Sequence, residues 1–226
     1  MVISQTVTRI NQLALLLVLW APAAFSDENP DISFDGLERI EDAKVAMAYI
    51  DPEADFSVFK RVAILDPFVS FRSNWRRDQN RSRTRNLRPA DVERIKTDVS
   101  ALLRDVFIER LQADGGYEVV NETGEDVLLL RPAIIELNIT VPDQQRAGRS
   151  RTYTASAGAA TLYIELFDSV SGDIIGRAAD RRTARRAGGH LTWSSRITNT
   201  QEARRMFGRW ADKLREFLDQ HYSGKK

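Results

Sequence analysis

The clearest periodic signal along the chain lies between residues 89 and 113. Val92, Ile95, Val99, Leu102 and Val106 recur at spacings of three and four, and Leu103, Phe107 and Leu111 widen the stripe. Such spacing predicts an amphipathic helix with one face on a core. Pro89 suits a first helical turn, and Asp91 and Glu93 suit its dipole. Gly115-Gly116 ends the pattern. A second helix follows Asn199-Thr200-Gln201-Glu202, which reads as an N-cap close to a capping box. Its apolar face is Ala203, Met206, Phe207, Trp210, Leu214, Phe217 and Leu218.

Between and before these helices the period changes to two. Val62-Ala63-Ile64-Leu65 reads as a short buried strand stopped by Asp66-Pro67, and Tyr117-Glu118-Val119-Val120 as another. Asp126 to Thr140 opens on a buried run, meets Pro132, and then alternates through Ile135, Leu137 and Ile139. Pro132 predicts a bulge or an edge position there. Tyr153 to Phe167 is a long strand with Leu162, Ile164 and Leu166 on one face. Ser169-Val170-Ser171-Gly172-Asp173 is a hairpin turn by composition, and Ile174 to Arg185 returns as a strand. The expected fold is α+β: a two-layer sandwich, with a mostly antiparallel sheet of about five strands and two main helices on one face.

Length fits this picture, since 226 residues suit one domain with a real core. The absence of cysteine excludes disulfides, thiolate metal sites and cysteine nucleophiles. Residues 1–26 read as a secretory signal peptide: Arg9, an apolar run from Leu13 to Trp20, then Ala21-Pro22-Ala23-Ala24-Phe25-Ser26. The run is too short to span a bilayer, which takes about 20 apolar residues. The remaining chain is expected to be exported, with the periplasm as its compartment, free or membrane-associated, and with no transmembrane helix. Residues 27–57 form an acidic lead-in, 58–222 a single α+β domain and 223–226 a disordered tail.

Charge changes the picture more than composition does. The whole chain is nearly neutral, at +1. Yet residues 27–55 carry ten acids against Arg39 and Lys44, and residues 72–88 carry seven arginines against Asp78. A second basic group follows at Arg177, Arg181, Arg182, Arg185 and Arg186. Guanidinium forks bind carboxylates and phosphates bidentately. The candidate surface for an anionic partner is therefore Arg72, Arg76, Arg77, Arg81, Arg83 and Arg85, joined by Arg181, Arg182 and Arg185 if the fold brings them near. The partner is an anionic envelope component or a protein. Nucleic acid is disfavoured, because aromatic interleaving is thin.

Catalytic patterns are few. No GxSxG or Walker A sequence occurs. The two histidines, His190 and His221, have no ligand-like spacing, so neither a metal nor any other cofactor is expected. A hydrolase would have to use a triad of Ser156, Asp180 and His190, or a carboxylate pair in a pocket between sheet and loop.

Several segments resemble a known family. Ala48-Tyr49-Ile50-Asp51-Pro52-Glu53-Ala54-Asp55-Phe56-Ser57, the strand ending Asp66-Pro67, Ser150-Arg151-Thr152-Tyr153-Thr154-Ala155-Ser156-Ala157-Gly158, and Asp180-Arg181-Arg182 are similar to family 3313 among the domains of unknown function, over roughly residues 36–220. The resemblance implies a bacterial cell-envelope protein, often a lipoprotein in relatives, with no established activity and no catalytic residues to carry over. This chain lacks the lipobox cysteine of such relatives. The sequence thus favours an exported, non-enzymatic binding or assembly module. Two alternatives stay open: a hydrolase-type enzyme, and a structural protein that pairs through an exposed sheet edge at Thr152–Gly158. Ligand and oligomeric state are not encoded in any motif.

Overall fold

The computed structural model describes residues 32–33, 35–81, 83, 85–141, 153–154, 156–185, 192–193 and 196–223. The signal segment 1–26, His190, Arg186, most of the loop after Thr140 and the extreme C-terminus lie outside them.

The 89–113 periodicity becomes α2, Pro89–Gln112, and a shorter helix α1, Trp75–Arg81, precedes it. Asp91 accepts the Arg88 backbone N–H at 3.0 Å, which closes the first turn. That bond, together with Arg88 and Arg94, holds the Asp91 carboxyl below its ordinary value. Leu103, Val106, Phe107 and Leu111 are fully buried, while Val92, Ile95, Val99 and Leu102 are half-buried. The last helix, α3, spans Arg196–Ser223 and starts before the expected cap. Glu202 does not cap it; its buried carboxylate pairs with Arg205 one turn on.

Eight strands form one mixed sheet. They are β1 (Glu38–Arg39), β2 (Met47–Ile50), β3 (Arg61–Ile64), β4 (Phe68–Phe71), β5 (Glu118–Val120), β6 (Val127–Ile139), β8 (Ser156–Asp168) and β9 (Ile174–Arg185). A separate ribbon pairs β7 (Tyr153–Thr154) with β10 (Thr192–Trp193). The main order is β1-β2-β9-β8-β6-β3-β5, with β4 also on β6. The expectation of about five strands and two helices is therefore corrected to eight strands and three helices, and the sheet does not close into a barrel. Parallel pairing was also missed: β3 runs parallel to β5 and β6, and β4 to β6. The long α2 between β4 and β5 supplies the crossover that parallel neighbours require.

Both long helices share one face of the sheet. A single core cluster joins Leu103, Phe107 and Leu111 of α2, Phe207 and Trp210 of α3, and Leu130, Ile164 and Leu166 of the sheet. Pro132 sits in this central sheet, paired with Ile164 of β8. It tolerates that place for a topological reason. Leu130 directs its carbonyl to Leu65 at the end of β3, so Pro132, two residues on, faces the same side. There the chain passes from β3 to β4 at residues 65–67, and no ladder donor is missed. The bulge lies at Glu136 instead, with φ 53°, where the register slips between Ile135 and Asn138.

The opposite face carries a row of charge. Tyr49, Arg177, Glu165 and Arg131 stand side by side on β2, β9, β8 and β6. Glu165, 7% exposed, accepts Arg131 Nε at 2.6 Å and the Tyr163 hydroxyl at 3.0 Å. Arg177 lies 3.6 Å from it and forms a two-pronged pair with Asp35. The lead-in thus folds back over the sheet, with Leu37 buried beside the pair. Burial pushes the Asp35 carboxyl up, but Ser33 and Arg177 outweigh it and hold it below 3.8. The Arg61 guanidinium does the same for Asp126, with bonds of 2.7 and 3.0 Å.

A carboxyl held low in the fold adds stability that is complete above its unfolded value and is lost as pH falls through its folded value. The urea midpoint is thus expected to be flat near neutrality and to drop below about pH 4. Asp35→Asn should lower the neutral midpoint and flatten the acid limb. An unchanged acid limb in this variant would remove Asp35 from the account.

Candidate functional site

The first arginine group does not form a loop throughout. Residues 75–81 are helical, because Trp75 anchors them. Its ring is 1% exposed, stacks on Phe71 with centroids 3.7 Å apart, and donates Nε1–H to the Ile139 carbonyl at 2.8 Å. Gln79 accepts the Val141 N–H at 3.0 Å, and Asn80 accepts the Leu87 N–H at 2.8 Å. A helix this short has little intrinsic stability and is held by such contacts. Together they seat α1 on the far end of β6.

These arginines divide into two kinds. Arg72 is tied to Asp78 at 2.8 Å. Arg83 donates to the Val141 and Arg85 carbonyls, at 2.7 and 3.3 Å, and so staples the segment after α1. Arg76, Arg77 and Arg85 are exposed and make no ion pair among the described residues. Arg81 is 70% exposed and keeps only a 3.5 Å contact with Asp78. Four cations of the first group therefore face solvent.

The second group reaches the same end of the sheet through register. Thr183 pairs with Ala159, which pairs with Asn138, and β9 ends at Arg185 opposite Ser156. That end lies two strands from β6, roughly 10 Å. The side chains there differ in role. Arg181 reaches Thr161 and the bulged Glu136 across the sheet. Arg182 instead turns to the helix side and donates Nε–H to Asp180 at 2.8 Å. Arg185 is placed by its backbone alone. Among the described residues the lead-in makes its ion pairs with Arg177 and Glu216 and none with α1.

The imagined hydrolase triad does not assemble. Asp180 pairs with Leu162 on β8, six residues from Ser156, or about 20 Å along the strand. Its buried carboxylate accepts Trp210 Nε1–H at 3.0 Å, Arg182 Nε–H and the Ala46 N–H at 3.3 Å. Asp180 is thus a structural acceptor that ties β9 to α3 and the lead-in. At the edge expected over Thr152–Gly158, Ser156 and Gly158 already pair with strands of the main sheet. Ser156 and Ala159 pair with β9 on one side, and Gly158 and Ala159 with β6 on the other. Tyr153 and Thr154 pair with β10. Among the described residues no group of His, Asp and Glu is arranged to hold a metal ion, and no helix is long and apolar enough to cross a membrane.

The model of a family of proteins of unknown function, DUF3313, matches residues 30–214. The chain belongs to DUF3313. No curated protein matches it. Among solved structures, this DUF3313 protein is similar to a Xanthomonas campestris protein of family DUF330, at 12% identity and TM-score 0.41, covering 81% of this chain and 96% of that one. It is also similar to the PelC dodecamer from Paraburkholderia phytofirmans, at 12% identity and TM-score 0.39 over 74% and 96%. A third likeness is to the protein CT253 of Chlamydia trachomatis, at 9% identity and TM-score 0.40 over 74% and 99%.

Proposed function

We propose that this DUF3313 protein is an exported, non-enzymatic binding module that docks on an anionic, phosphate-bearing membrane surface through α1. The observation that carries this reading is the seating of Trp75. It fixes a short helix on the sheet end and leaves Arg76, Arg77 and Arg81 in solvent, with Arg85 just beyond. Arg185 ends β9 toward the same end of the sheet, while Arg181 is paired with Glu136. Arg72, Arg83 and Arg182, named from sequence for the same surface, instead hold the scaffold. Export rests on the signal-like residues 1–26, and the non-enzymatic character on the scattered Ser156 and Asp180.

Each exposed basic residue near an anionic bilayer is worth about 1 kcal/mol. Reversal of Arg76, Arg77, Arg81 and Arg85 to Glu should therefore weaken binding to phosphatidylglycerol-rich vesicles by at least about a hundredfold. The wild-type affinity should fall steeply with salt, because exposed charges are screened. Zwitterionic vesicles should not bind. A parallel arm with lipopolysaccharide distinguishes the source of the phosphate. Vesicle binding that ignores both the reversal and the salt would overturn the reading.

A further inference from the structure

A cavity of about 340 Å³, with no α1 residue in its lining, lies between α3 and the β2-β9-β8 part of the sheet. It exists because small residues occupy the floor. Ala48, Gly176 and Ala178 face α3 where larger side chains would fill the space. Ile164 completes the floor, and Leu214 and Phe217 form the roof. Residues 40–45 of the lead-in run along one side as a strap, tied to α3 by the Lys44–Glu216 pair. The volume falls in the range of small-molecule sites. From Gly176 to Asp180 the floor is about 14 Å long.

The lining is largely apolar, with Asp180 and Lys213 near one end and Gln220 and His221 about two turns further along α3. Of the basic groups in the lining, Lys44 is tied to Glu216, Arg177 to Asp35, and His221 meets the Phe217 carbonyl through Nδ1 at 2.8 Å. Lys213, 24% exposed, has a single long contact of 3.9 Å, to Asp180. Asp180 is already engaged by Trp210, Arg182 and Ala46. Burial pulls the Lys213 ammonium below its usual pKa of 10.5, and Asp180 only partly offsets this. A negative group placed at this end would meet a donor already poor in water.

We propose that the cavity holds a medium-chain carboxylic acid, with its tail along Ile164, Ala178 and Leu214 and its carboxylate on the Lys213 ammonium. The tail gains by leaving water for an apolar, preformed slot. The carboxylate supplies the charge-assisted hydrogen bond that Asp180 is too engaged to give. Nothing in this site uses α1.

Calorimetric titration with decanoate, decanol and decyltrimethylammonium separates tail from head. Decanoate should bind at least about tenfold tighter than the cation. Lys213→Met keeps the stem and removes the charge. It should weaken decanoate roughly tenfold and leave decanol within about twofold. Ala178→Leu should abolish all binding by filling the floor, with circular dichroism checking that the fold persists. The proposal is overturned if decanoate does not bind, if the cation binds as well through Asp42 on the strap, or if Lys213→Met leaves decanoate unchanged.

Discussion

Arg177→Met should cost the fold about 3 kcal/mol, the lower end of the penalty for breaking a buried ion pair. Arg177, Asp35 and Glu165 have side chains only 10%, 17% and 9% exposed. Removing the guanidinium takes the ion-pair partner from Asp35 and one of two cations from Glu165. The cost stays at the lower end because Glu165 keeps Arg131 and Tyr163. For a chain of this size the melting temperature should fall by about 6–12 °C. The double variant Arg177→Met and Asp35→Asn should recover much of that loss, since Asp35 then carries no charge and Glu165 keeps Arg131. A single variant that loses under about 1 kcal/mol would mean that water already screens the pair. Vesicle binding through α1 should be unaffected in the folded fraction.

Trp75→Ala should lose both stability and vesicle binding. The substitution removes a stacked, buried indole and the hydrogen bond to Ile139. Large aromatic truncations of this kind cost about 3–5 kcal/mol. Here part of that cost should appear as local opening, because α1 depends on its anchor. Amide exchange across residues 76–81 should accelerate well beyond that of α2. Vesicle affinity should drop although every exposed arginine is still present, since unseated cations lose their fixed arrangement. Unchanged affinity with a frayed helix would show that charge alone, and not its placement, makes the contact. Trp75→Phe should retain most of the stacking and separate the ring from its N–H.

What the sequence made legible follows from how local each signal is. The α2 stripe reads directly because Leu103, Val106, Phe107 and Leu111 carry their own period. The hairpin at Ser169–Asp173 reads because Gly172 adopts φ 78° and Asp168 bonds the turn's amides. The strands β1 and β2 were not readable: four residues such as Met47–Ile50 have no pattern until β9 pairs with them. The helix α1 was hidden for a similar reason, as its stability comes from Phe71 and Ile139 rather than from propensity. Parallel pairing around β3 depends on α2 lying between strands, which periodicity does not encode.

The candidate sites divide the same way. The two arginine groups are visible as composition. Which arginines are already engaged is not, because Asp180, Glu136 and Val141 become partners only through register. The cavity gave no signal at all. It is made by the smallness of Ala48, Gly176 and Ala178, and small residues in a strand read as weak pattern.

The returning lead-in also sets an order of events. Asp35 meets Arg177 across 142 residues of chain, and Ala46 meets Asp180 across 134. Contacts of such span are slow to find and come after local ones. A chain emerging from its N-terminus presents β1 and β2 before the rest of the sheet, yet they have only each other to pair with until β9 arrives. The earliest part of the protein to be made is therefore among the last to be folded.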